Sequence, residues 1–173
     1  MPLVLGLRYP VAGLRALRKP RIDLLEESQV RMRVRLSDCD VNLHVNNGRY
    51  LSLMDIGRID HVTRAGGMQA FRANGWNPVA GGATIRFRRE LRLGARYVLR
   101  TRCAGWDDGW WFFEQIFERG DGMLAARAYA KVAILGADGR RLDTGEVAAA
   151  LGLDPQSPEL PVGIVDWQRT DAG

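Results

Sequence analysis

Residues 29–65 read QVRMRVRLSDCDVNLHVNNGRYLSLMDIGRIDHVTRA and carry three patterns in succession. The first stretch alternates: Val30, Met32, Val34 and Leu36 fall on one face, Arg31, Arg33 and Arg35 on the other. A period of two over this length predicts a half-buried strand through Ser37. Residues 38–47 follow neither period and predict a polar loop. From Gly48 to about Ala65 the pattern is helical. Tyr50, Leu51, Leu53, Met54, Ile56, Ile59 and Val62 cover more than one stripe, so this helix is expected to be enclosed. Gly57 is expected to admit close approach by another backbone, and Gly66-Gly67 to end the helix.

Downstream, a short second helix over MQAFRAN stops at Gly75. Four strands follow as an antiparallel meander: Ala83–Leu91, Tyr97–Trp106, Trp110–Arg119 and Met123–Leu135. In the first, Ile85, Phe87 and Leu91 are expected inward. Asp107-Asp108-Gly109 and Gly120-Asp121-Gly122 supply turns. The chain then offers one short helix (GEVAAALG) and Pro-punctuated sequence. The order predicts an α+β architecture, one antiparallel sheet wrapped around a long central helix. Such a sheet leaves its edges open, and two copies paired edge to edge would cover them, so a homodimer is expected, or a tetramer built from it. The division expected is an N-terminal arm (1–28), the main domain (29–140) and a C-terminal extension packed on it (141–173).

The chain has 173 residues and a formal net charge of +5. Its only lysines are Lys19 and Lys131; the other basic residues are arginines spread along the chain. No basic stripe with interleaved aromatics appears, which argues against nucleic acid as a partner. Cys39 and Cys103 form no CxxC and no disulfide framework, so a reducing, cytoplasmic setting is expected. No apolar run reaches a membrane span. The first 22 residues hold no acid and several arginines, a composition open to peripheral membrane contact or a transit-like role. Pro10 and the glycines weaken a helix there, and a surface arm is expected.

One segment concentrates chemistry: Ser37-Asp38-Cys39-Asp40-Val41-Asn42-Leu43-His44-Val45-Asn46-Asn47-Gly48-Arg49-Tyr50. The start of a helix offers unpaired N–H groups and the positive end of its dipole, an oxyanion site. A carboxylate a few residues upstream can face the same point. Thioester hydrolysis needs little more: a thiol of pKa about 8.5 leaves without a strong acid, and an ionised Asp can deprotonate water or attack the carbonyl.

DCDVNLHVNNGRYL resembles the signature of hotdog-fold thioesterases. It is similar to the D-x-N-x-H-V-N-N-x-x-Y stretch of plant acyl-carrier-protein thioesterases and, more loosely, to the D-C-D loop of bacterial 4-hydroxybenzoyl-CoA thioesterase. The span 30–167 resembles the branch called thioesterase superfamily member six and its bacterial relatives, through the Arg-rich strand, GWDD at Gly105–Asp108 and PELP at Pro158–Pro161. The resemblance implies a hotdog fold and an acyl-CoA or acyl-carrier-protein thioesterase without metal or other cofactor. It implies Asp40 as catalytic carboxylate, Asn42 and His44 in positioning and activating water, and the Asn47 N–H polarising the thioester carbonyl. Asn46 and Tyr50 would flank the substrate, Tyr50 chiefly as a structural residue. Some hotdog thioesterases carry a His where this chain has Asn47, which leaves the division of labour among Asp40, Asn42 and His44 open.

The blander readings stand beside these. Asp40 and the three Asn residues are also turn and cap formers. Asp38 competes as base but is expected at the strand's end. His61 is expected at the surface and Cys39 in the core or at a strand end. Arg86 and Arg88 share a strand face and can grip CoA phosphates, or simply be solvated. Gly120–Ala125 matches G-x-G-x-x-A, but a strand rather than a helix follows, which removes a dinucleotide site. No G-x-S-x-G, P-loop or metal-site spacing occurs. Two rivals remain, a hotdog thioester dehydratase or hydratase, and a non-catalytic acyl-thioester or lipid-binding module.

Overall fold

The computed structural model describes residues 2–171, with side chains from Leu7 onward. Its elements run α1 (Pro2–Ala16), β1 (Ser28–Arg33), α2 (Asn47–Arg64), α3 (Gly67–Asn74), β2 (Asn77–Phe87), β3 (Arg96–Trp106), β4 (Trp111–Arg119), β5 (Leu124–Leu135), α4 (Thr144–Ala150) and α5 (Val162–Asp171). The five strands form one sheet in the order β1-β3-β4-β5-β2, every pairing antiparallel. Both predicted tight turns join hairpins, β3 to β4 and β4 to β5. The α+β arrangement expected from the sequence is therefore present.

α2 lies on the inner face of this sheet. Tyr50, Leu53, Met54 and Ile56 pack with Tyr97, Leu99, Phe117, Ala126 and Ala128 in one core cluster. Gly57 sets the approach. A Cβ there would meet Thr101 Oγ1 at 2.5 Å, Gln115 Nε2 at 2.7 Å and a Leu99 methyl at 2.8 Å. The partner is thus a set of side chains on β3 and β4, not the second backbone expected. Gln115 is fully buried there and donates to Met54 O (2.9 Å) and Thr101 Oγ1 (3.0 Å), while Arg58 Nη1 donates to its Oε1 (2.9 Å).

Residues 2–16 depart from the expected arm: they form a helix, with Pro10 inside it. Proline and glycine lower intrinsic helicity, but tertiary contacts decide the outcome. Ala12 and Ala16 are buried, and Gly13 sits close enough that its Cβ would touch Ile59 at 3.8 Å. Two ion pairs tie the segment down: Arg8 Nη1 to Asp38 Oδ1 at 2.6 Å and Lys19 Nζ to Asp60 Oδ1 at 2.5 Å.

β1 also ends earlier than its alternation predicts. Val34 is buried as expected, but Leu36 is 68% exposed. A one-turn 3-10 helix over Leu36–Asp38 turns the chain and buries Asp38 instead. β2 begins six residues before its predicted start and ends at Phe87. Leu91 is buried outside the strand, where its carbonyl accepts from Val45 N at 2.9 Å. The segment after β5 holds an unforeseen second helix, α5. Its Ile164 packs on Ala104 and Phe112 of the sheet's outer face. Trp106 fixes the linker, donating from N to Ser157 Oγ (2.8 Å) and from Nε1 to Pro155 O (3.1 Å).

Candidate active site

The loop between β1 and α2 is held by its own backbone. Asp40 N donates to His44 O (2.9 Å), Leu43 N to Asp40 O (3.1 Å) and Asn46 N to Asp38 O (2.9 Å). Its return limb is stitched to residues 91–93, through Val45 N to Leu91 O and Leu93 N to Leu43 O, both 2.9 Å. Leu43 sits at φ 58°, the left-handed region that a bulky L-residue seldom adopts. Strain of this kind persists only where surrounding bonds over-determine it, and it clusters at functional sites.

Asp40 is half-exposed, and its Oδ1 accepts from Asn42 N at 2.9 Å. This is an Asx turn, one of the two roles the sequence allows for Asp40. It leaves Oδ2 without a partner among the described residues. Asn46 caps α2, its Oδ1 accepting from Gly48 N at 2.9 Å. Asn47 is the exposed first residue of the helix, and its N–H has no acceptor among the described residues. A free N–H at the positive end of an 18-residue helix is a natural oxyanion donor.

The His44 side chain makes no hydrogen bond to the Asp40 carboxylate among the described residues. Its Nε2 faces Glu90 Oε2 at 3.2 Å, an acid not singled out in the sequence. Arg92, hydrogen-bonded to Glu90, holds that carboxyl below the usual range, with His44 adding to the effect. Asn42 is exposed and contributes only its backbone. Tyr50 is 2% exposed, with edge-on contacts to Phe87 and Phe117 at 5.0 and 4.9 Å. Burial pushes its phenol up to about 12. Expected to flank the substrate, it lies in the core. Arg86 and Arg88 are exposed at the end of β2, Arg86 opposite Arg127 of β5.

Two further expectations are corrected. Asp38, expected at a strand end, is buried and gripped by Arg8 through both oxygens, which removes it as a base. His61, expected at the surface, is fully buried, with Nε2 2.9 Å from Leu24 O and Nδ1 3.2 Å from Ser28 Oγ. Burial lowers its pKa. The charged residues Arg58 and Arg64 flank it in sequence, but the segment after α1 covers its side of the helix. Cys39 is half-buried, and burial and the neighbouring Asp38 and Asp40 raise its thiol, which disfavours a nucleophilic role.

A second feature lies further along α2. An apolar cavity of about 270 Å³ separates α2 and α3 from the sheet, walled by Ile59, Val62, Phe71, Trp111, Phe113 and Ile134. None of Asp40, Asn42, His44 or Asn47 lines it. Its polar lining comes from Asp55 and Arg58 of α2 and from Tyr9 of α1. Arg58 Nη2 donates to Asp55 Oδ1 at 2.5 Å and Tyr9 Oη to Oδ2 at 3.3 Å. Burial and the adjacent Asp55 raise the Tyr9 phenol. The sequence signal for this group was an Asp–Arg pair at i, i+3 inside an otherwise apolar helix face. Tyr9 had no signal, because its segment read as an arm.

A sheet laid along one long helix, with a strained polar loop at the helix's open end, defines a hotdog-type protein. The chain belongs to the Thioesterase-like superfamily, whose family model matches residues 34–168. It is similar to Protein THEM6 of Xenopus laevis, 34% identical over 170 residues that cover 95% of this chain and 80% of that one. Protein THEM6 of Danio rerio is 44% identical over 108 residues, 62% of this chain, and the match spans only 54% of the fish protein. The solved structure of YbaW, a probable thioesterase from Escherichia coli, shares the fold with a TM-score of 0.66 at 23% identity, covering 71% of this chain and 95% of that one.

Proposed function

We propose that the protein hydrolyses an acyl-CoA, or a related acyl thioester such as one on a carrier protein, to a free acid and a thiol. One observation carries this reading. The Asn47 N–H, unpaired among the described residues, and the constrained Asp40 loop stand at the open end of the same helix whose flank bounds an apolar cavity. The Asn47 N–H receives the carbonyl oxygen. Asp40 takes a proton from water as the water oxygen bonds to the carbonyl carbon; in the alternative, Asp40 attacks that carbon itself, and water hydrolyses the mixed anhydride left after the thiolate departs, which releases the acid and restores Asp40. The tetrahedral adduct then collapses, the C–S bond breaks and the thiolate leaves, reprotonated near neutral pH. Asn42 and His44 position the water, and Asn46 holds the helix start. Arg86 and Arg88 meet the phosphates of CoA. The acyl chain occupies the cavity, whose volume is close to the lower end for ligand pockets. No metal or redox cofactor enters, and the two free thiols suit the cytoplasm.

The working unit in this reading is a homodimer joined through β2. All eleven residues of that edge strand are exposed or half-exposed, Val79 and Phe87 among them. An uncovered edge of this length invites pairing with a second copy.

The cavity favours a second reading of the base. Asp55 lines it and Asp40 does not. Eight residues of helix, about 12 Å, separate Asn47 from Asp55. A thioester seated at the cavity mouth would meet Asp55 first, with Tyr9 and Arg58 as donors. Free-thiol release from acyl-CoAs of graded length, measured on wild type, Asp40→Asn and Asp55→Asn, separates the two. Loss in Asp40→Asn alone supports the first reading, loss in Asp55→Asn alone the second. Turnover of enoyl- or hydroxyacyl-CoA without thiol release would mark a hydratase or dehydratase. Tight acyl-CoA binding without turnover would mark a binding module.

A further inference from the structure

α1 has one side turned into the molecule and one turned out. On the inner side Ala12 and Ala16 are buried, and Tyr9 reaches the cavity. On the outer side stand Leu7, Val11, Leu14 and, one residue past the helix, Leu17, exposed by 64, 42, 62 and 72%. Steps of four, three and three residues align such positions along one helical face. Four large aliphatics in a row on a docked helix form a patch, not scattered exposure.

The crest runs between two clefts, and arginines border both. The cleft toward β1, about 820 Å³, is lined by Arg15, Arg31, Arg33 and Arg35 beside Leu7 and Val11. The cleft on the other flank, about 640 Å³, is lined by Arg21 and Arg72 beside Leu14 and Leu17. Among the described residues Arg15, Arg18, Arg31 and Arg35 form no ion pair. The carboxylates on the inner side of α1 are already engaged: Asp38 by Arg8, Asp60 by Lys19 and Asp55 by Arg58. The sequence has no acid before Asp23. The outward face is therefore apolar along its ridge and uncompensated positive along its slopes.

The geometry points to an anionic lipid surface as the occupant of this face. Aliphatic side chains of an amphipathic helix enter the boundary between headgroups and acyl chains, and flanking guanidiniums meet lipid phosphates. The ridge argues against nucleic acid, which offers no apolar surface for four aliphatics. Arginines on both slopes match a broad anionic plane better than a single narrow groove. No helix among the described residues is long and apolar enough to cross a membrane, and an amphipathic helix such as α1 docks in the plane of the interface. The site lies by β1, at the edge of the sheet opposite β2, and is independent of the thioesterase reading.

The test is co-flotation of the full chain with vesicles of phosphatidylcholine alone and of phosphatidylcholine with phosphatidylglycerol, at low and high salt. Binding to the anionic vesicles only, weakened by salt, is expected. Leu7→Ser with Leu14→Ser lowers the partition coefficient by at least about tenfold, and Arg15→Gln with Arg18→Gln by about tenfold. Circular dichroism and melting of both variants match wild type, because the changed side chains are exposed. Equal binding to neutral and anionic vesicles, no binding, or binding untouched by these substitutions would overturn the proposal. Self-association in sedimentation that disappears with the leucine substitutions would assign the crest to a second copy instead.

Discussion

Asp38 and Asp40 lie two residues apart, yet the fold treats them oppositely. Asp38 is 2% exposed, gripped by Arg8, and accepts from Arg35 N at 3.0 Å. Asp40 is half-exposed, shares one oxygen with a turn N–H and keeps the other unpartnered among the described residues. The 3-10 turn between β1 and the loop makes this difference, because it swings alternate residues from the strand's faces into new directions. Asp55 and Asp60, five residues apart on α2, differ in position rather than in pairing: Asp55 lines the cavity with both oxygens engaged, by Arg58 and Tyr9, and Asp60 is buried under Lys19. A carboxylate saturated by cations and N–H groups holds structure, and one with spare lone pairs is free for chemistry.

The largest effect that would sharpen this contrast is on catalysis. Asp40→Asn is expected to lower kcat for thiol release by about 10²–10⁴-fold with an unchanged melting temperature. Activity near wild type would remove Asp40 from the chemistry. Asn47→Pro tests the other half of the site. Proline is tolerated at the first helical position and deletes the N–H together with an exposed side chain that makes no hydrogen bond among the described residues, and Asn46 already has the extended conformation that a following proline favours. It is expected to cut kcat by about 10²–10³-fold while α2 stays folded, as read by circular dichroism.

Stability effects come next. Arg8→Met leaves the buried Asp38 charge without its cation and is expected to cost about 3 kcal/mol in urea unfolding. Adding Asp38→Leu should recover most of that loss; if it does not, the pair is not the anchor of α1. Gly57→Ala puts a Cβ 2.5 Å from Thr101 Oγ1 and is expected to cost about 1–3 kcal/mol through forced movement of α2.

The smallest effect concerns His61. Burial lowers its folded-state pKa below the unfolded value of about 6.5. The unfolded chain therefore takes up the proton first as pH falls. Stability from this group is full above about pH 6.5 and declines below it, by at most about 1.4 kcal/mol per pH unit. His61→Gln should flatten the melting temperature between pH 7 and pH 5. A slope equal to wild type would assign the acid sensitivity elsewhere.

Much of the architecture could be read along the chain because it depends on local periodicity. The period of two in residues 96–135 and the D-D-G and G-D-G turns specify hairpins whichever partner they meet. The long helix of α2 and its glycine stop are equally local. The ends of β1 and β2 differ from those the alternation predicts, because apolar alternation continues into segments whose direction is set by the turn at Leu36–Asp38 and by the pairing with β5. α1 departs from the expected arm because it and the residues just after it are held by Asp38, Asp60 and Ile59, far away in sequence.

The candidate site divides in the same way. The order of Asp40, Asn42, His44, Asn46 and Asn47 at a helix entrance is a property of the sequence alone, since a loop's polarity and a helix's unpaired N–H groups need only neighbours. Which carboxylate keeps a free oxygen, which histidine is buried, and that Tyr9, Asp55 and Arg58 meet at an apolar cavity came only from tertiary packing. Burial and pairing are set by residues tens of positions away, and no local pattern encodes them.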